Sequence, residues 1–306
     1  LVCLVGSEMC IRDRNNTSTK IFHNAMYDVS WIRSLGFQIN GGIIDTMIAA
    51  SLIDENRFSY TLDSIGKDYI GMRKNEKLLQ DAAKDFGVNA KAEMWRLPAP
   101  FVGEYAEKDA EMTLKLWHAL QHEISKQDLW DVFNLETNLF PCLVDMKFKG
   151  VRVDAQKAMS VKAELQETEK NLMRDINKLA GFDVEIWAAA SIAKAFDKEK
   201  LPYDRTEKGA PSFTKNFLAT HPAELPKLIN EAREINKANT TFIDTILKHE
   251  HNGRIHAEIN QIRSDQGGTV TGRFSYNNPN LQQIPARHKH LGPVSYTHLT
   301  LPTTPV

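Results

Sequence analysis

Gly150 divides this chain into two halves whose apolar residues follow different rules. Before it, short apolar runs of strand length alternate with helix-length patterns; after it, apolar positions recur at helical spacing through long, charged stretches. Such a pattern specifies an α/β domain followed by a mainly α one, and 306 residues are enough for both. In the first half KIFHN reads as a short buried strand, followed by an amphipathic helix with Met26, Val29, Trp31 and Ile32 available for its inner side. A second strand ends near Ile43 and Ile44, Asp45 opens the helix DTMIAASLID, and Asp63 lies early in the next helix. Residues from Glu76 to Phe86 read as helical, Leu97 to Pro100 as a loop, and the apolar spacing from there to Gln127 as a long helix.

Beyond Gly150, VRVD is too short for more than a connecting strand or turn. The runs AQKAMSVKAELQETEKNLMRDINKLAG, SIAKAFDKEK and LPKLINEAREINKANTTFIDTILKHE read as helices, the first and last being long and antiparallel. From Gly253 the period changes: RIHAEINQI alternates like a strand, and DQGGTVTGRFSYNNPNLQQIP is extended and turn-rich.

Composition excludes more than it selects. No apolar run reaches the roughly 18 to 20 residues that span a bilayer. With a formal charge of -1, any contact with nucleic acid must come from a locally basic face. Residues 227 to 289 supply one, with nine Lys and Arg against six acids. The two ends, LVGSEMCIRDR and VSYTHLTLPTT, resemble translated ends of a transposase sequencing adapter, so residues 1–14 and 293–306 are set apart from Asn15 to Gly292. Only Cys142 then remains, which is consistent with a reducing cytoplasm.

Gly268 to Pro285, GTVTGRFSYNNPNLQQIP, resembles the signature at the thumb-to-palm junction of family A DNA polymerases. Arg, Asn and Gln donors suit the minor groove, where acceptors recur on every base pair and duplex geometry is tested without reading sequence. The resemblance gives Arg273 to the primer-terminal region, and Asn280 and Gln282 to the nascent duplex. Upstream, LPKLINEAREINKANTTFID is similar to the second long thumb helix, with Arg233 and Lys237 one turn apart and able to meet successive phosphates. KAFDKEKLPYDRTEKGAPSFTKNFL resembles the thumb's small subdomain, with GAPSF a turn into a short helix.

The first half resembles the ribonuclease H-like 3′-5′ exonuclease domain of the same family. HNAMYD matches its second motif through Asn24 and Asp28, and YAEKD its third through Tyr105 and Asp109, four residues apart on one helical face. By resemblance Asp28 and Asp109 are ligands of a two-magnesium site, Tyr105 orients the attacking water, and Asn24 meets a single-stranded 3′ end. The first motif, a D.E pair, is absent from Asn15 to Lys20, and the run stops after QQIPARHK, before the palm's aspartates. The chain alone is therefore expected to perform neither reaction. His249, His251 and His256 lack partners at metal-site spacing and read as structural.

The implied organisation is an incomplete exonuclease domain at 15–150, a thumb at 151–252 and a thumb-to-palm segment at 253–292, acting on primer-template DNA without membrane association. A stand-alone exonuclease accounts for Asp28, Tyr105 and Asp109 but leaves the TGR run without a purpose. A non-catalytic DNA-binding module is the other alternative.

Overall fold

The computed structural model describes residues 17–265 and 267–284. The adapter readings of the two ends lie outside the described residues, as does the part of the TGR run from Pro285 onward. The chain forms an α/β unit followed by a mainly helical one. Among the described residues, the first comprises 17–149 together with most of 258–277, and the second comprises Gly150–Ala257 together with 278–284.

In the first unit β1 (Lys20–Phe22) and β2 (Ile43–Asp45) pair in parallel, with Ile21 opposite Ile44 and Phe22 opposite Asp45. Helix α1 (Ala25–Ser34) crosses between them. Asp45 ends β2 and caps α2 (Thr46–Ile53), accepting the Met47 N–H as the sequence requires of a helix start. Then follow α3 (Leu62–Ile70), α4 (Lys77–Asp85), α5 (Ala99–Lys126) and α6 (Trp130–Lys149). The core lies where α2 and α3 meet α5, around Ile65, Leu116 and Leu120, and Trp117 stacks on Phe133 with ring centres 5.3 Å apart. Gly66 of α3 faces the Met112 side chain of α5: a Cβ there would stand 1.9 Å from Met112 Cε, so that methyl would have to move.

The stretch RIHAEINQI, one strand by its alternation, is two strands here. β7 (Arg254–Ile255) belongs to the second unit, while β8 (Glu258–Asn260) pairs with β9 (Ser275–Asn277) in the first. Side chains explain why β8 and its neighbours join the first unit. Gln261 donates to the Glu136 carbonyl at 2.7 Å, Lys147 pairs with Glu258 at 2.6 Å, and Ile262 packs on the core around Ile65.

In the second unit β3 (Val151–Arg152) pairs with β7, and β7 with β6 (Glu250–His251). Asp154 caps α7 (Ala155–Ala180) through the Lys157 N–H at 2.9 Å. Helix α7 packs on α10 (Glu224–Lys237): Ile176 shares a core with Leu225 and Ile229, while Ala158 and Leu165 meet Ile235 and Ala238, so the two run antiparallel. Between them α8 (Ala189–Lys198), the hairpin β4 (Asp204–Arg205) and β5 (Pro211–Ser212), and α9 (Lys215–Thr220) gather around Phe196. GAPSF thus makes its turn at Gly209, φ 80°, but a short strand comes before the helix that Thr214 caps. The final long helix is also interrupted: residues Ala238–Ile243 form a π-helical turn before α11 (Asp244–His249), which lets the consecutive Ala238 and Asn239 both be buried.

Candidate active site

The turn from β1 into α1 is made by Asn24 in the left-handed conformation, φ 66°. Its N–H and that of Ala25 donate to the two carboxylate oxygens of Asp45 at 2.9 and 2.7 Å, which ties the start of the HNAMYD motif to the end of β2. Asp28 stands one turn further along α1, half-buried. Burial, and then the neighbouring charge of Asp45, push its carboxyl up to about 6. Asp45 itself is pushed up by burial and pulled down by the main-chain N–H groups that address it.

Tyr105 and Asp109 lie on successive turns of α5. Their neighbour is Lys74, in the loop after α3. That helix ends at Gly71 in the left-handed conformation, and Asp63 in its first turn accepts the Lys74 N–H at 2.8 Å, pinning the loop back onto the helix. The Lys74 ammonium consequently reaches Asp109 Oδ2 at 2.5 Å and the Tyr105 hydroxyl at 3.1 Å. Burial opposes its charge, but the bonds to Asp109 and Tyr105 outweigh burial and hold Lys74 above the usual lysine value. Burial pushes the Tyr105 phenol up, against the pull of Lys74.

His23 precedes this turn, its Nδ1 2.8 Å from the Thr46 hydroxyl and its Nε2 donating to the Tyr60 carbonyl at 3.0 Å. Burial lowers its pKa to about 4, and the charge of Lys74 acts in the same direction, so the ring is neutral at pH 7. One ammonium thus acts on both motifs, bonded to Tyr105 and Asp109 and within electrostatic reach of His23.

Sequence reasoning singled out neither Lys74 nor His23. Lys74 sits in a loop without periodicity, 35 residues from its partner, so no local signal marks it.

Among the described residues no group of three His, Cys, Asp or Glu could hold an ion, and the Asp109 carboxylate is already bonded to an ammonium.

The candidate DNA contacts fall in different settings. Lys237, Arg273, Asn280 and Gln282 are exposed. The Asn280 side chain accepts the Gln282 N–H at 3.1 Å, capping a short 3-10 turn. Arg233 is not turned outward as its spacing with Lys237 suggests. Its guanidinium donates to the Ile186 carbonyl at 2.6 Å and the Phe213 carbonyl at 2.8 Å, and lies over the Trp187 ring, so two part-buried main-chain acceptors gain a donor.

Two family models match this chain. A model described as 3′-5′ exonuclease matches residues 13–125, and one described as DNA polymerase family A matches residues 155–294. The chain is 36% identical over 298 residues to "DNA polymerase DpoZ" of Acinetobacter phage SH-Ab 15497, covering 89% of the chain and 48% of that protein. It is 33% identical over 276 residues to "DNA-directed DNA polymerase" of Pseudomonas phage M6, covering 86% of the chain and 42% of the relative. The chain spans about half the length of these curated relatives. A solved structure of the POL domain of Pol1 from M. smegmatis, in complex with DNA primer-template and dNTP, shares the fold with a TM-score of 0.72 at 20% identity, covering 93% of this chain and 46% of that one.

Proposed function

Since the chain belongs to DNA polymerase family A, we propose that the protein it forms part of extends primers on a DNA template and removes mispaired 3′ nucleotides at a separate site. Domains of this family are in general metal-dependent. The observation that carries the reading is the order along one chain: an exonuclease-like unit with Tyr105 and Asp109 on one helical face, then a helical unit, with the TGR run after it.

In this reading residues 15–150 are the proofreader, 151–252 the thumb, and 253–292 the thumb-to-palm segment. Asn24 meets a single-stranded 3′ end. Asp28 and Asp109 are the carboxylates of the magnesium-dependent excision site, and Tyr105 holds a water beside them. Lys237 contacts phosphate, while Arg273, Asn280 and Gln282 test the minor groove of the primer-template. Among the described residues no helix is long and apolar enough to cross a membrane. A cytoplasmic location is part of the proposal.

The bond between the Asp109 carboxylate and the Lys74 ammonium favours a second statement about the chain taken alone: it binds duplex DNA and excises nothing. Asp28→Ala in the complete polymerase tests the first reading: 3′ excision should be lost and primer extension retained. Incubating the chain alone with a radiolabelled single strand and Mg2+ tests the second, which shortening of the strand would contradict.

A further inference from the structure

We propose that the resident counter-charge of Asp109 is the Lys74 ammonium rather than a divalent ion, so that an ion reaching this carboxylate must first displace Lys74. The inference rests on the reading of Asp109 and Tyr105 as excision-site residues, and it follows from the mismatch between that reading and the bonds the carboxylate makes.

Four features make the ammonium a built part of the site. It touches both residues of the third motif, at 2.5 Å from Asp109 and 3.1 Å from Tyr105. The Lys74 and Asp109 side chains are only 20% and 24% exposed, so water screens the pair weakly. The lysine's main chain is fixed by Asp63, at 2.8 Å. Helix α3, which carries Asp63, packs Gly66 against the Met112 side chain of α5, one turn beyond Asp109.

A magnesium ion bonds oxygen ligands at about 2.0–2.1 Å. An ammonium already on Oδ2 competes for the same electron pairs and repels the incoming charge. An ion therefore meets Asp109 only after the lysine moves.

The experiment is Mn2+ binding followed by electron paramagnetic resonance on the chain without DNA, comparing the parent with Lys74→Met, Lys74→Arg and Lys74→Met combined with Asp109→Asn. Lys74→Met removes the charge and keeps most of the side-chain length. It should bind Mn2+ about tenfold more tightly than the parent, the ratio produced by removing a competitor worth about 1.4 kcal/mol. The gain should vanish in the double variant and be absent in Lys74→Arg. An unchanged or weaker affinity in Lys74→Met overturns the proposal, including the case in which neither chain binds Mn2+. If Lys74→Met fails to fold, the parent supplies the readout through the 15N resonance of Lys74 Nζ during Mg2+ titration. Movement of that signal together with the Asp109 carboxyl 13C signal supports displacement. Movement of the carboxyl signal alone overturns it. Failure of the underlying reading looks different: excision by the complete polymerase would then survive Asp109→Ala, whatever the Mn2+ result.

Discussion

Asp45 accepts the N–H of Ala25 at 2.7 Å across 20 residues of chain, while its other oxygen takes the N–H of Met47 at 2.8 Å, so one buried carboxylate caps both α1 and α2. Asp45→Ala would leave buried N–H groups of two helix starts without an acceptor. It should destabilise the fold by about 2–4 kcal/mol in urea denaturation, combining the loss of a cap with the cost of unpaired buried donors. A loss below about 0.5 kcal/mol, the range of ordinary surface changes, would show that water replaces the carboxylate.

Asp28 and His23 should give the stability opposite pH slopes. His23 falls from 6.5 to about 4 in the folded chain, so the unfolded state binds more protons across that window and stability is lost as pH drops through it. Asp28 rises from 3.8 to about 6, so the folded state holds its proton longer and stability falls as pH climbs through that window. In buffer with chelator, Asp28→Asn should therefore be more stable than the parent at pH 7 and nearly equal to it at pH 4. The same difference at both values would mean that Asp28 titrates normally.

Arg233 and Lys237 should separate stability from DNA binding. Arg233→Met removes two donors from the Ile186 and Phe213 carbonyls and should cost about 1–3 kcal/mol. Lys237→Ala, at an exposed position, should leave stability within about 0.5 kcal/mol. It should, however, reduce the logarithmic salt slope of duplex binding by about one unit, as loss of a phosphate contact does. Fluorescence anisotropy across a salt series reads the second quantity, and an unchanged slope would remove Lys237 from the DNA surface.

These cases show what local sequence carries. The Asp45 cap was legible because capping involves residues two or three apart, and the shared face of Tyr105 and Asp109 because it follows from helix geometry alone. Alternation in RIHAEINQI says that residues are extended but not which strand they join, so its division between two units could not be read. Spacing likewise gives Arg233 and Lys237 one face, yet which of them is drawn inward depends on carbonyls 47 and 20 residues away. Lys74 is the extreme case, a loop lysine whose role exists only once α3 and α5 are packed.

In the protein proposed above, one polypeptide holds an excision unit separate from primer extension. The most direct test gives the complete polymerase a primer with a mismatched 3′ end, and follows shortening and lengthening of the same labelled strand in wild type and Asp109→Ala. Shortening should fall by at least about a hundredfold, since even partners of a metal ligand cost 10–100-fold when lost. Lengthening of a matched primer should stay close to the wild-type rate. Equal loss of both, or shortening at the wild-type rate in Asp109→Ala, would contradict the account.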